Sequence, residues 1–247
     1  MIRLEKYHGL GNDFLVLLDL GAVRPVDAAD ARSLCDRHRG VGADGLIRVT
    51  PGAGGADFTM ELFNADGSRA EMSGNGIRCL AMALVDAGLS GPEMTVHTDA
   101  GDRSVTVDDD GWASVDMGLA KVDPKDVGVA FVNMGNPHTV VEVQDLERLN
   151  VAKRAAEWQG RNVEFVVLGP GADAITMRVW ERGVGETLAC GTGACAATAA
   201  AFVWGRVGPR VVVHQPGGDA TVELKGETVI LSGPADHIAS VEVPWLS

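Results

Sequence analysis

Short runs rich in apolar and β-branched residues punctuate the first half of the chain. They predict strands at Leu15–Leu18, Leu46–Val49, Thr59–Phe63, Met94–Asp99, Ser104–Val107 and Ala113–Asp116. Turns are expected at Gly101-Asp102 and Asp110-Gly111. Ala28–Arg37 has helical spacing, with Asp27 placed to cap it. In the second half the same pattern predicts strands at Val129–Val132, Thr139–Val143, Val163–Leu168, Ile175–Trp180, Arg210–His214, Ala220–Leu224 and Thr228–Leu231, and a helix at Val151–Gln159. Two further helices, Ile77–Ala87 and Ala194–Trp204, are apolar nearly all round. A helix with no polar face belongs inside a curved sheet.

The two halves repeat one another. Thr59 to Asn64 resembles Thr176 to Glu181, and Ser73-Gly74-Asn75-Gly76 resembles Cys190-Gly191-Thr192-Gly193, all at a separation of 117 positions. A helix follows in both copies. Leu10-Gly11-Asn12 and Met134-Gly135-Asn136 form a weaker pair at a slightly different offset, which loop insertions allow. The expected fold is therefore α+β, with two pseudo-symmetric domains, each a curved, mostly antiparallel sheet around a central helix. The domains are expected at 1–117, completed by a C-terminal strand at about 238–247, and at 118–237. A chain of 247 residues accommodates two such domains.

Composition narrows the function. A net charge of −13 opposes binding to nucleic acid or an anionic membrane surface, since both would repel it. No apolar run approaches the roughly 20 residues that cross a bilayer, and the N-terminus lacks the apolar core of a secretory signal, so a cytoplasmic location is expected. Cys35, Cys79, Cys190 and Cys195 show no zinc-site spacing. Free thiols and no metal are expected.

Cys190 and Ser73 are the candidate reactive groups. Each stands before a Gly-x-Gly turn and a helix, where backbone N–H groups lack internal partners and carry partial positive charge. Glycines there let a carboxylate approach the backbone, and a thiol at such a place is expected to have a depressed pKa. Taken alone, Cys190 could equally be a structural residue of a tight turn. Two opposed acid/base groups suit the inversion of a stereocentre, because one removes a proton from one face while the other delivers a proton to the opposite face.

Six blocks bring a resemblance. His8-Gly9-Leu10-Gly11-Asn12-Asp13-Phe14, Phe63-Asn64-Ala65-Asp66-Gly67-Ser68, Gly74-Asn75-Gly76-Ile77-Arg78-Cys79, Met134-Gly135-Asn136-Pro137-His138, Glu181-Arg182-Gly183-Val184-Gly185-Glu186-Thr187 and Ala189-Cys190-Gly191-Thr192-Gly193-Ala194-Cys195 resemble, in order, the signatures of diaminopimelate epimerases. The resemblance implies an active site in the cleft between the domains and interconversion of LL- and meso-2,6-diaminopimelate, a step toward lysine and cell-wall precursors. It also implies no pyridoxal phosphate or other cofactor, and a homodimer. It makes Cys190 catalytic and places substrate contacts at Asn12, Asn64, Gly74, Asn75, Asn136, Asn162, Glu181, Arg182, Gly191 and Thr192. His138 and Glu181 match groups that tune the acid/base pair.

The family's other catalytic cysteine falls on Ser73, and a substrate-contacting glutamine of some members falls on Gly45. Serine at 73 fits an engineered change, a natural Ser/Cys pair whose hydroxyl a neighbour such as His138 or Glu181 activates, or drift to another substrate. The alternatives are a racemase of another amino acid, proline- or histidine-racemase-like, and a diaminopimelate-binding protein with impaired catalysis.

Overall fold

The structure is a computed structural model and describes residues 1–244. Residues 245–247 of the expected closing strand lie outside the described residues. Two compact units emerge, Met1–Val115 with the segment from Pro234 onward, and Asp116–Gly233.

The first unit opens with β1 (Ile2–Gly9), β2 (Asn12–Leu18), α1 (Ala28–Cys35), β3 (Gly45–Pro51), β4 (Phe58–Asn64), β5 (Arg69–Ala70), α2 (Gly74–Asp86), β6 (Glu93–Thr98), β7 (Gly101–Val107) and β8 (Trp112–Asp116). In β2, Asp13 through Leu17 are all buried. The cause is its central place, antiparallel to β1 and parallel to β3, with a helix on each face. Leu15 and Leu17 meet Ala31 and Leu34 of α1 in one apolar cluster, while α2 packs against β1, β2, β3 and β7.

The second unit holds β9 (Lys121–Asp126), β10 (Val129–Asn133), β11 (Pro137–Glu142), α3 (Val151–Ala155), β12 (Asn162–Leu168), β13 (Ala174–Glu181), β14 (Gly185–Thr187), α4 (Gly191–Val203), β15 (Arg210–Gln215), β16 (Gly218–Lys225) and β17 (Thr228–Pro234). Its pairings repeat the first unit: β11–β12 and β13–β15 are parallel as β2–β3 and β4–β6 are, and most others are antiparallel. Every residue of α4 from Gly193 to Ala201 is buried, and the helix packs against strands β9 to β13, β15 and β16. Its alanines favour helix and present a thin cylinder that a curved sheet can enclose. The last strand, β18 (Asp236–Val243), returns to pair antiparallel with β1.

The α+β architecture is as expected, and several boundaries differ. α2 and α4 begin at Gly74 and Gly191, one turn before the expected Ile77 and Ala194, because the glycines form the first helical turn under a capping side chain. Both helices stop at a left-handed glycine, Gly88 (φ 67°) and Gly205 (φ 69°), the usual C-terminal stop. α1 ends at Cys35 instead of Arg37, since Asp36 turns extended and its carboxylate accepts from His38 and Arg39 N–H. The expected helix Val151–Gln159 is α3 followed by a 3₁₀ turn, Ala156–Trp158. The turn expected at Gly101-Asp102 lies at Asp99-Ala100, where the Thr98 hydroxyl donates to Gly101 O and accepts from Ala100 N. β1, β5, β9 and β14 had no strand signal; β9, with Pro124 and five exposed positions, is a polar edge that alternation does not reveal.

Arg48 on β3 anchors the first unit. It is 9% exposed, donates to Asp19 at 2.8 and 3.0 Å, and reaches Glu61 at 2.7 Å. Burial alone would raise the Asp19 pKa, but Arg48 and the N–H groups of Arg24 and Val23 outweigh it, so the carboxyl lies below the usual aspartate range. Asp19→Ala is expected to cost about 3 kcal/mol in urea unfolding, because it leaves a buried charge underpaired. A depressed folded-state pKa adds stability above the unfolded-state pKa. That contribution is expected to fade as pH falls from about 4 downward, and acid titration of Asp19→Ala should lack it.

Candidate active site

In the second unit Cys190 is the N-cap of α4. Its backbone is extended (φ −132°, ψ 115°), and its Sγ accepts from Gly193 N–H at 3.3 Å. Gln215 on β15 fixes this cap by accepting from Cys190 N–H at 2.9 Å. Thr192, on the first turn, puts its hydroxyl 3.5 Å from Cys190 Sγ and 3.5 Å from Asn136 Nδ2. Asn136 Oδ1 lies 2.8 Å from His138 Nε2, and His138 Nδ1 lies 2.7 Å from Glu164 Oε1. These contacts bring Asn136, His138, Gly191 and Thr192 together around Cys190, and the buried Glu181 carboxyl bears on the thiol through its charge.

A depressed Cys190 pKa is not what the structure shows. Burial pushes the thiol well above its ordinary value, and the carboxylates of Glu181 and Glu164 push it further. Hydrogen bonds from Thr192 and Gly193 act the other way without prevailing. Two acidic side chains in a water-poor site outweigh a few oriented N–H groups. Burial likewise raises the Glu181 carboxyl, helped by the negative charge of Glu164 and opposed by hydrogen bonds from Thr187 and Cys190. Glu181 is thus a better proton acceptor than an exposed glutamate.

The first unit carries the matching set. Ser73 caps α2, with φ −136°, ψ 124° and its Oγ accepting from Gly76 N–H at 3.1 Å. Gly74 and Asn75 are buried in the first helical turn. Asn75 Nδ2 donates to Asn12 Oδ1 at 3.2 Å, and Asn12 Nδ2 donates to Asp44 Oδ2 at 2.8 Å. Arg37 clamps Asp44 and Asp13, and Lys6 adds a second cation beside Asp13. Asn12 is therefore held from both sides by groups fixed to β2, α2 and the loop before β3. Asn64 closes the turn after β4, donating to Ser68 Oγ at 2.9 Å.

The remaining expected contacts lie where the start of β12 meets the residue after β13. Asn162 is buried and accepts from Arg182 N–H at 2.9 Å, so Arg182 is fixed through its backbone while its side chain is exposed. Besides Lys6, Asp13 and Arg37, four residues without a prior assignment belong to these sets. Asp44 and Gln215 orient Asn12 and Cys190. Arg78, fully buried in α2, donates to Gly74 O and Asn75 Oδ1 at 3.0 Å each. Glu164 is fully buried on β12. The last two had a signal: Glu164 is the lone charge of β12, and Arg78 is the one charge in the interior of α2, whose other charge, Asp86, is its last residue.

The signature of the diaminopimelate epimerases matches residues 4–122 and 130–238. This chain belongs to the diaminopimelate epimerase family. Family members named diaminopimelate epimerase include that of Synechocystis sp., 41% identical over 97% of this chain and 98% of the relative. That of Synechococcus sp. strain JA-3-3Ab is 42% identical over 95% of each. The fold is shared more widely. A PhzF-family phenazine biosynthesis protein from Bacillus anthracis superposes with a TM-score of 0.77 at 17% identity, covering 99% of both chains. A hydroxyproline epimerase from Agrobacterium vitis does so with 0.69 at 17% identity, covering 97% of this chain and 91% of that one.

Two outcomes follow from the geometry around Cys190. A Cβ on Gly193 would lie 2.8 Å from Glu164 Oε1 and 3.2 Å from Cys190 Sγ. Gly193→Ala is therefore expected to lower kcat about 100-fold through misplacement of the thiol, while circular dichroism shows α4 intact. Cys190, followed peptide by peptide with iodoacetamide, is expected to alkylate slowly at pH 8 and still to accelerate above pH 9, the ordinary thiol value.

Proposed function

We propose that this chain interconverts LL- and meso-2,6-diaminopimelate without a cofactor, by proton transfer at the α-carbon. The carrying observation is the doubled N-cap: Ser73 and Cys190 stand in matching local structures, each beneath a buried, glycine-led first helical turn. The names of the full-length relatives support the substrate. The proposed chemistry requires the two side chains on opposite faces of one α-carbon, in a cleft between the domains. The substrate's α-carboxylate would rest on the N–H groups that open α2 and α4, with Arg182 free to pair with the distal carboxylate.

In one direction Cys190, deprotonated, takes the α-proton. The C–H electron pair moves onto the carbon and its carboxylate, and Ser73 returns a proton to the opposite face. In the other direction the roles exchange. A high thiol pKa serves this reaction, because a strong conjugate base is needed for a weakly acidic C–H. The thiol proton itself can pass to Glu181, a buried carboxyl whose charge already bears on Cys190. His138 adds a second polar partner through Asn136 and Thr192. In the same reading the enzyme is a cytoplasmic homodimer, which sedimentation would test.

The deciding experiment is α-hydrogen exchange from deuterated water into LL- and meso-diaminopimelate with no cofactor added. Exchange into both isomers is expected, with loss of at least 1,000-fold in Cys190→Ala. A folded protein that exchanges neither isomer would sink the proposal, and exchange into other amino acids but not diaminopimelate would redirect it to a different racemase. Ser73→Cys is expected to raise kcat about tenfold or more, since each pKa unit of easier ionisation corresponds to about 1.36 kcal/mol. The same variant should become sensitive to oxidants, whereas serine at 73 cannot form a disulfide with Cys190.

A further inference from the structure

The two units can be compared position by position around their capping residues. Cys190, Gly193, Glu181 and Glu164 lie 117 positions after Ser73, Gly76, Asn64 and Ile47. The sheet register extends the correspondence: His138 pairs with Asn162 as Phe14 pairs with Gly45, so Phe14 matches His138. The glycines confirm it in space. A Cβ on Gly193 would meet Glu164 Oε1 and Cys190, and one on Gly76 would meet Ile47 Cδ1 at 3.2 Å and Ser73 Cβ at 3.2 Å.

The same local fold is thus filled by Phe14, Ile47 and Asn64 behind Ser73, and by His138, Glu164 and Glu181 behind Cys190. The fold needs no charge at the place of Glu164, since isoleucine fills it in the other unit. Yet Glu164 is 0% exposed, and its Oε2 has no hydrogen-bond partner among the described residues. Burying a carboxylate in this way is costly. One contact accounts for it, the 2.7 Å bond from Glu164 Oε1 to His138 Nδ1. An ionised carboxylate only accepts hydrogen bonds, so this contact puts a proton on Nδ1. It also sets Nε2 2.8 Å from the Asn136 amide oxygen, an acceptor, and Asn136 in turn reaches the Thr192 hydroxyl beside Cys190.

We propose that Glu164 is a positioning residue that fixes the Nδ1–H form and the orientation of His138, and thereby serves proton transfer at Cys190 alone, with no counterpart behind Ser73. This inference rests on the epimerase reading above. The groups facing Cys190 are Glu181 from β13, Glu164 from β12 and the Thr192 hydroxyl of its own helix, with His138 from β11 behind Asn136 and beside both carboxylates. Glu164 bears on the thiol through its charge, and among the described residues its side chain hydrogen-bonds only to His138, so its geometric effect passes through the imidazole.

Glu164→Gln is the test, because an amide can donate as well as accept and no longer dictates which ring nitrogen carries the proton. The expected result is a fall in kcat of about 100- to 10,000-fold with KM within about twofold, the pattern of a histidine no longer held by a carboxylate on Nδ1. In parallel, ¹⁵N imidazole spectra of the substrate-free protein, assigned by the signal missing in His138→Phe, should show protonated Nδ1 in the parent and its loss in Glu164→Gln. The pair His138→Phe with Glu164→Ile copies the other unit and is expected to fold with an unchanged or higher Tm. A kcat within about threefold of the parent, a parent Nδ1 without its proton, an Nδ1 proton kept in Glu164→Gln, or a double variant that does not fold would each overturn the inference. A parent protein that exchanges no α-hydrogen would remove the epimerase reading instead, and the imidazole spectra would still decide whether Glu164 sets the tautomer.

Discussion

A helix that starts inside a protein exposes its first N–H groups to surroundings without water, and each must find an acceptor. Both long helices here begin in this way, with buried glycines in the first turn. One side chain, Ser73 or Cys190, answers one N–H in each and is thereby held at the mouth of the helix. The remaining first-turn donors, led by the N–H groups of Gly74 and Gly191, are the surface on which an anionic group can rest. The wrapped sheets, the alanine-rich α4 and the left-handed glycines at the helix ends all accommodate a helix buried from its first residue.

Duplicated geometry does not mean duplicated chemistry. The sheet positions behind the caps hold apolar or neutral side chains in the first unit and a histidine with two glutamates in the second. Negative charge and burial together drive the Cys190 thiol above its ordinary value, against the pull of the helix N-terminus. The partial charge of a helix end is worth a few tenths of a kcal/mol to about 2. Burial beside two carboxylates exceeds that. The outcome is a thiol that stays protonated until a neighbour accepts its proton, and a strong base once it has been ionised.

The first unit spends its charge differently. Arg37, Lys6, Asp13 and Asp44 form a network that orients an amide, Asn12, rather than an acid or a base. Arg78, buried in α2, holds Asn75 against the same amide. Amides present both a donor and an acceptor without titrating, which suits the recognition of an amino-acid end.

The 117-residue repeat, the strand runs and the Gly-x-Gly leads are local patterns, and they determined the α+β class, the paired helices and the two capping residues. They also contained Ser73, which departs from the cysteine that the family resemblance implies at that place. Helix starts were misplaced by one turn because glycine reads as a loop former until a cap and a surrounding sheet hold it in a helix. The direction of the Cys190 pKa shift was decided by tertiary structure. It depends first on burial of the thiol and then on Glu181 and Glu164, which are 9 and 26 residues away along the chain and are brought near by strand pairing. Glu164 was readable as an acid in an apolar strand, but its purpose was not. Only the register of β11 against β12 brings it to His138, and charges act through distance in space, not through separation in sequence.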